Sequence, residues 1–598
     1  MPLLSIAEKL EKIRKLMQSY QIDYYYIPAT DPHQNEYVPD CWARRSWVTN
    51  FTGSAGEALI AKKHAYLWTD ARYFLQADDE IDQNHFQLMK QIQGRKSSIH
   101  QWISEQKGGK VVGVDPSVVT IREATNLSNT LSQREGKLVA IEENFVDLLW
   151  KKQPKIPENP FFIYDKKYAG RSFSEKLNPI RDLMQKNRVD ALVVSKLDEI
   201  AWLFNIRGND FAFNPLVISF ALLTKNKSIL FITQTKVTSE TKKYCKKNNI
   251  TLKNYQEFGP TLQKLRNNVW VDPTNASWWA QQQLHGATLL FKTSPILLSK
   301  AIKNSTEQEG MKKAHKMDGL SIIQFMHWLE HHWKEGITEI SAAEKLEALR
   351  RTNLSFQGLS FSTISAFGAH GAIVHYQAKK ATNILIDNSS LYLFDSGGQY
   401  LEGTTDTTRV LHLGQPTTQQ KHHYTLVLKG HLALRHLIFP EGCCGEHINM
   451  AAHYPLWQEG LDYFHGTSHG VGCYLCVHEG PQVIASRNTG VPLKPGMILS
   501  NEPGVYFEGE YGIRIENVCL IKESAKSEKK NDTNQKTFYQ LEDLTMVPYN
   551  RKLINKGELT TEEIHRVNKY HQWVYENLSS DIQDDELLTW LKVETSPL

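Results

Sequence analysis

Cysteine is scarce: Cys41, Cys245, Cys443, Cys444, Cys473, Cys476 and Cys519 are all that 598 residues hold. A sparse, odd-numbered set excludes a disulfide framework and suits a reducing compartment. Cys473 and Cys476 have CxxC spacing, yet no second CxxC completes a zinc site. Their neighbours Val471, Leu475 and Val477 predict a buried strand instead. Long apolar runs are missing as well. Nothing approaches the roughly 18 apolar residues of a membrane span, and the final residues lack the hydrophobic tail of a lipid-anchor signal. Nor does one sign of charge dominate. With 69 basic and 65 acidic residues the net charge is +4, so neither nucleic acid nor a membrane surface is an expected partner. The expectation is a soluble, cytoplasmic protein.

What is present is enough apolar material for several cores. Hydrophobic residues make up 41% and aromatics 10%, and the chain is too long for a single core. Ser5-Ile-Ala-Glu8 is a capping box, and Ile6, Leu10, Ile13 and Leu16 follow at helical spacing. Interspersed Glu and Lys make this an amphipathic helix and not a signal peptide.

An internal repeat organises the first half. Trp47-Val-Thr-Asn-Phe-Thr-Gly53 returns as Trp202-Leu-Phe-Asn-Ile-Arg-Gly208, and Val114-Asp-Pro116 as Val271-Asp-Pro273, at nearly the same interval. Each copy opens with a helix and a β-rich run, Asp23–Ile27 or Asp190–Ser195. Further apolar runs such as Val217–Leu223 and Ser228–Ile232 follow. Helices alternating with short strands predict two similar α/β domains. Pro154, Pro157 and Pro160 mark the linker between them, and the second copy ends near Pro295. The expected boundaries are 1–155, 156–298 and 299–598. A helix opening the third domain is predicted to cap on Ser305-Thr-Glu-Gln308, with a stripe of Ile322, Met326, Leu329 and Trp333 and a stop at Gly336. Glu523 to Thr537 reads as an exposed polar loop. Leu559–Ile564 and Asp584–Leu591 read as terminal helices.

The stretch Leu391–Arg409 in the third domain carries Asp395 and Asp406 around glycine turns, a β-hairpin pattern that could face the two carboxylates across neighbouring strands. Carboxylates so placed repel unless a proton or a cation lies between them. Downstream, Phe464-His-Gly-Thr-Ser-His-Gly-Val-Gly472 sets two histidines among glycines. Leu499-Ser-Asn-Glu-Pro-Gly504 puts Glu502 at a strand end. Tyr511-Gly-Ile-Arg-Ile-Glu-Asn-Val518 puts Arg514 and Glu516 on one face of an alternating strand, where the two could simply pair. Taken together, Asp395, Asp406, Glu502 and Glu516 carry four negative charges, which balance two divalent cations, and a histidine completes a hard donor set suited to Mn²⁺ or a similar ion. A pair of such ions activates water and polarises a carbonyl, which is machinery for hydrolysis.

The order Asp, Asp, His, Glu, Glu within these motifs resembles the pita-bread metallopeptidases. More narrowly it resembles the three-domain, cytosolic type of aminopeptidase P (Xaa-Pro aminopeptidase). The likeness extends to Trp68–Gln76 in the first copy and Leu197–Gly208 in the second. It implies an α/β and α+β architecture: two creatinase-like N-terminal domains followed by a pita-bread catalytic domain. It also implies two Mn²⁺ ions, proline-containing peptides as substrates, release of the N-terminal residue from peptides beginning Xaa-Pro, and a homodimer formed through the third domain. By that resemblance Asp395 binds one metal and Asp406 both, His469 ligates the same metal as Glu502, Glu516 bridges, and Glu502 is also the general base. His375 and His478 hydrogen-bond the substrate and the developing oxyanion, and His465 lies near the proline side of the scissile bond. Arg514 orients a metal carboxylate, and Arg72 reaches the substrate. Ser468 stands where the family has glycine, and it would be strained if that position needed φ > 0. The substrate logic is also physical, because a bond to proline has no amide hydrogen for an ordinary peptidase to grip. The alternatives are a prolidase acting on Xaa-Pro dipeptides and a non-catalytic peptide- or histone-binding protein of the same fold.

Overall fold

The computed structural model describes residues 4–92, 98–528 and 537–598. They form two compact units, one of residues up to Asp165 with Arg171–Ile296, the other of Lys166–Gly170 with Leu297–Leu598.

In the first unit the sequence repeat becomes two six-stranded sheets of the same strand order. One runs Gln87–Gln91, Ala65–Asp70, Glu57–Ala61, Tyr24–Ile27, Val111–Val114, Lys137–Ala140. The other runs Ile250–Lys253, Ser228–Ile232, Ser219–Thr224, Ala191–Val194, Asn268–Val271, Thr288–Phe291. In each, the copy's first strand is antiparallel to one neighbour and parallel to the other. The repeated words have local causes. Asn50 and Asn205 end the helices Arg44–Thr49 and Leu197–Phe204 in the left-handed region, at φ 62° and 51°, a conformation asparagine tolerates. Asp115 and Asp272 each accept a backbone N–H two residues on, from Ser117 and Thr274. The two turns then bond reciprocally. Ile121 N–H donates to Ala276 O and Trp278 N–H to Val119 O, while Arg122 N–H reaches Pro273 O and Trp279 N–H reaches Pro116 O. A pseudo-two-fold axis therefore relates the copies.

The N-terminal helix Ile6–Ser19 is capped by Ser5 and Glu8 as expected, but its buried stripe ends on Met17, with Leu16 half-buried. In the second unit the long helix Ser305–His332 starts one residue earlier than the sequence pattern suggests. Asn304 is the N-cap and Glu307 its reciprocal partner, while Gln308 turns back to Lys303 O. Ile322, Met326 and Leu329 are buried, and each such side chain contributes roughly 1.5–3 kcal/mol. Trp333 falls just past the helix and is half-buried, and Gly336 supplies the left-handed stop at φ 85°.

Among the described residues, four small sheets complete the second unit with that helix. Ile364–Phe367, Leu391–Ser396 and Thr407–His412 form one. Ile438–Pro440, Phe538–Asp543, Asn517–Glu523 and Ile498–Asn501 form the second, Gly504–Phe507 with Tyr511–Arg514 the third, and Phe356–Leu359, Gly398–Tyr400 and Gly403–Thr404 the fourth. The helices Thr561–Leu578 and Asp585–Glu594 close the chain, the second capped by Asp584. This unit is α+β, whereas the first is α/β.

Two readings need correction. No strand forms around Cys473 and Cys476, because Tyr474 adopts φ 48° and Gly472 N–H donates to Cys476 O across a tight turn. A left-handed residue cannot continue a ladder, although Val471, Leu475 and Val477 are buried as their composition suggests. The strand carrying Arg514 also stops there, so Glu516 lies in the break before Asn517–Glu523. Of the polar stretch Glu523–Thr537, residues 529–536 lie outside the described residues. No described helix is long and apolar enough to cross a membrane.

Candidate metal centre

Hydrogen-bond register delivers the first two carboxylates. In the ladder between Leu391–Ser396 and Thr407–His412, Asp395 pairs with Thr408 and Ser396 with Thr407. Asp406 therefore sits one residue before the second strand, beside the end of the first. Between them the chain detours into a different sheet. Gly397 permits this, since a Cβ there would collide with the Thr405 carbonyl. Backbone bonds from neighbouring segments bring the other three donors. Ser500 N–H donates to His469 O and Glu502 N–H to Thr467 O, both at 2.9 Å, and Glu516 N–H donates to Thr408 O at 3.2 Å.

Ligand atoms of Asp395, Asp406 and Glu516 lie within 4.8 Å of one another, as do those of His469, Glu502 and Glu516. The third such group, Asp406, His469 and His478, adds a histidine read from sequence only as a pocket residue. His469 Nε2 stands 3.3 Å from Asp406 Oδ2 and 3.5 Å from Glu502 Oε1. Its Nδ1 is 3.0 Å from Gly470 O, so Nδ1 carries a hydrogen and Nε2 is the nitrogen turned to the cluster. The His478 ring meets His469 edge-on at 4.3 Å.

Three oxygens decide how this cluster is to be read. Asp395 Oδ1, Asp406 Oδ1 and Glu516 Oε1 are buried and have no hydrogen-bond partner. Their sister oxygens are held: Asp395 Oδ2 by Arg514 at 2.7 Å, and Glu516 Oε2 by the Thr408 hydroxyl at 2.7 Å. Buried polar atoms are seldom left orphaned, and an unpaired buried carboxylate is costly. Three orphans pointing at one locus fit a site for cations.

Protons compete with cations there. Burial pushes Asp395 up to about 7 against the pull of Arg514, and burial with Asp406 and Asp395 beside it holds Glu516 well above the usual carboxylate range. Burial pulls His469 down, but Asp406 and Glu502 outweigh it and carry the imidazole to about 9. A carboxyl whose folded pKa is raised stabilises the metal-free fold below its unfolded value near 4, and that stability is lost as pH rises through the folded pKa. We expect the metal-free protein to lose thermal stability between pH 5 and 8, and added Mn²⁺ to raise its Tm more at pH 8 than at pH 5. Calorimetric scans with and without metal check this.

Arg514 does not pair with Glu516. It spans Asp395 Oδ2, Thr408 Oγ1 at 3.1 Å and Tyr506 Oη at 2.7 Å. Tyr506 Oη in turn lies 2.9 Å from His465 Nε2, so one chain of bonds links a cluster carboxylate to His465. His375 is half-buried in the segment after Ala372 and lies outside the ligand-distance groups found among the described residues. Arg72 belongs to the first unit, where Asp70 holds it at 2.8 Å and its guanidinium lies over Tyr73. Ser468 is buried and absent from the positive-φ residues, and its N–H donates to Ile484 O, so serine fits there unstrained.

Several supporting residues escaped the sequence reading. Ser500 Oγ accepts His469 N–H and donates to Glu502 Oε1, tying two donors together. Arg409, fully buried, donates to the backbone oxygens of Thr408, Glu516, Val547 and Pro548. The only signal for either was its place inside a quoted motif. Cys476 makes no part of the cluster, and Cys476→Ala is expected to keep the wild-type metal content, as elemental analysis of purified protein checks.

Residues 309–523 match metallopeptidase family M24, and 537–598 match the C-terminal region of that peptidase family. Residues 9–148 and 152–307 each match a creatinase/prolidase N-terminal domain. The probable Xaa-Pro aminopeptidase P of Botryotinia fuckeliana is 41% identical over 614 residues, covering 100% of this chain and 93% of that one. Its counterpart in Pyricularia oryzae is 41% identical over 623 residues, covering all of both. The chain belongs to the Xaa-Pro aminopeptidase P family.

A solved structure agrees over the full length. The X-prolyl aminopeptidase of Caenorhabditis elegans, a cytosolic enzyme with a di-nuclear active site, is 32% identical with a TM-score of 0.94, covering 100% of each chain. With that family come creatinase-like N-terminal domains and a pita-bread catalytic domain, the architecture expected from the motifs.

Proposed function

We infer that this chain is a metal-dependent exopeptidase that releases the N-terminal residue from peptides beginning Xaa-Pro. The observation that carries this is the trio of orphaned buried oxygens, Asp395 Oδ1, Asp406 Oδ1 and Glu516 Oε1, in a cluster completed by His469 and Glu502. Those five side chains would hold two divalent ions, with four carboxylate charges balancing them. Oxygen donors with one imidazole favour Mn²⁺ over thiolate-seeking metals. Bound there, the ions supply Lewis-acid polarisation of the scissile carbonyl and acidify water.

The chain's own residues do the rest. Glu502, oriented by the Ser500 hydroxyl, takes the proton of the attacking water as general base. His478 and His375 hydrogen-bond the substrate and the oxyanion that develops. His465, tied to Tyr506, faces the proline side of the bond. Arg514 fixes the orientation of Asp395. A proline nitrogen offers no hydrogen to a peptide-binding strand, so recognition falls to the ring's shape and to the carbonyl before it.

The same reading assigns the chain to the cytoplasm, supported by its sparse, odd-numbered cysteines and by its likeness to the cytosolic X-prolyl aminopeptidase. It divides the chain at 1–155, 156–298 and 299–598, supported by the separate matches at 9–148 and 152–307. It includes a homodimer through the third domain, supported by Met450, Tyr454 and Trp457, exposed at helical spacing on Met450–Trp457.

Turnover of an Xaa-Pro dipeptide against an Xaa-Pro-Pro tripeptide tests the activity. The tripeptide should be cleaved to free Xaa and Pro-Pro. Activity on the dipeptide alone would make the chain a prolidase. A protein with no metal and no Mn²⁺-dependent cleavage of either peptide would be a binder.

A further inference from the structure

Behind the histidine pair lies a group that the proposed reaction does not use. The Glu479 carboxylate, fully buried, is clamped between two ammonium groups that are themselves buried, Lys300 at 2.5 Å and Lys303 on the other oxygen. Lys303 is fixed in turn by its N–H to Gly496 O and by Nζ to Lys300 O. Two buried cations on one carboxylate make a poor stabilising device. Desolvating three charges costs several kcal/mol each, and apolar replacements of buried ion groups are often neutral or stabilising. What the triad does supply is a fixed position for one piece of backbone.

That backbone leads directly to the cluster. Glu479 N–H donates to Gly470 O at 2.7 Å, and the same carbonyl accepts the His469 Nδ1 hydrogen at 3.0 Å. Gly470 forms isolated bridges with both Glu479 and Leu499. A Cβ on Gly470 would collide with Glu479 O and Gln482 Nε2, so this close approach requires glycine. His478, the residue before Glu479, packs its ring edge-on against His469. The carbonyl that sets the His469 tautomer and the residue that carries His478 therefore share one anchor.

We propose that Glu479, held by Lys300 and Lys303, is a positioning residue that fixes the tautomer and aim of His469 and the placement of His478. The proposal rests on His469 being a metal ligand. Loss of such an outer partner typically costs 10–100-fold in metal affinity or activity.

The test uses Co²⁺ as probe, because its visible absorption reports ligand geometry independently of turnover. Metal-free wild type, Glu479→Gln, Lys303→Met, Lys303→Arg and His469→Ala are titrated with Co²⁺, and kcat and KM are measured for an Xaa-Pro-Pro peptide. Lys303→Met leaves a neutral Glu479–Lys300 pair, so it folds even where Glu479→Gln does not. Glu479→Gln and Lys303→Met are expected to bind Co²⁺ about tenfold or more weakly, with a shifted absorption band. Their kcat should fall by about tenfold or more with KM within about twofold of wild type, and Lys303→Arg should restore all three. A folded Glu479→Gln or Lys303→Met with wild-type Co²⁺ affinity, band and kcat would overturn the proposal while His469→Ala still lost the site. If wild type itself showed no Co²⁺ site, the metal reading beneath the proposal would be what failed.

Discussion

Asp406→Ala will hold fewer metal ions than the wild-type chain and lose its peptidase activity. Asp406 belongs to two of the three ligand-distance groups, sharing one with Asp395 and Glu516 and the other with His469 and His478. Removing it takes away a donor common to both halves of the cluster and leaves His469 Nε2 without its neighbour at 3.3 Å. The loss of activity should go well beyond the roughly 10–100-fold that an outer-shell partner costs. Elemental analysis and turnover on one preparation check both statements. Wild-type turnover would overturn the ligand assignment. The fold should survive, because the metal-free cluster is overcrowded with negative charge and losing one carboxylate relieves repulsion.

Arg514→Leu should show the opposite balance, with stability lost along with activity. The guanidinium is buried and bonds Asp395 Oδ2, Thr408 Oγ1 and Tyr506 Oη, and it is the cation paired with the buried Asp395 carboxylate. Deleting one member of a buried ion pair costs about 3–5 kcal/mol, because the remaining charge stays buried and unpaired. The metal-free variant should therefore unfold at distinctly lower denaturant concentration than wild type, and kcat should fall by about 10–100-fold as Asp395 loses its orientation. Saturating Mn²⁺ should recover part of the stability, since cations binding only the folded state stabilise it by mass action. Unchanged denaturation midpoints would show that Arg514 does not carry that load.

Much of this was legible in the sequence for identifiable reasons. The hairpin could be read because strand period and glycine turns fix register locally. The repeat could be read because Asn50 and Asn205 answer the same left-handed cap, and Asp115 and Asp272 the same turn. The family likeness then covered the whole chain. What stayed hidden was set by contacts between distant segments. Whether Arg514 pairs with Glu516 or Asp395 depends on a strand break that alternation does not reveal. The turn at Tyr474 looked like strand because buried apolar residues look alike in both. The cap at Asn304 in place of Ser305 turned on one residue of register between two adjacent capping boxes. The roles of Ser500, Thr408 and Glu479 rest on hydrogen bonds to groups far along the chain, and their residue types alone carry no such signal.

Asp395, Asp406, His469, Glu502 and Glu516 should form one cage for two cations. Calorimetric titration of the metal-free chain with Mn²⁺, in parallel with Glu516→Ala, tests it most directly. Two ions should bind per chain in the wild type, with a clear loss of binding in the variant. Two ions bound equally well by both proteins, or none by the wild type, would contradict it.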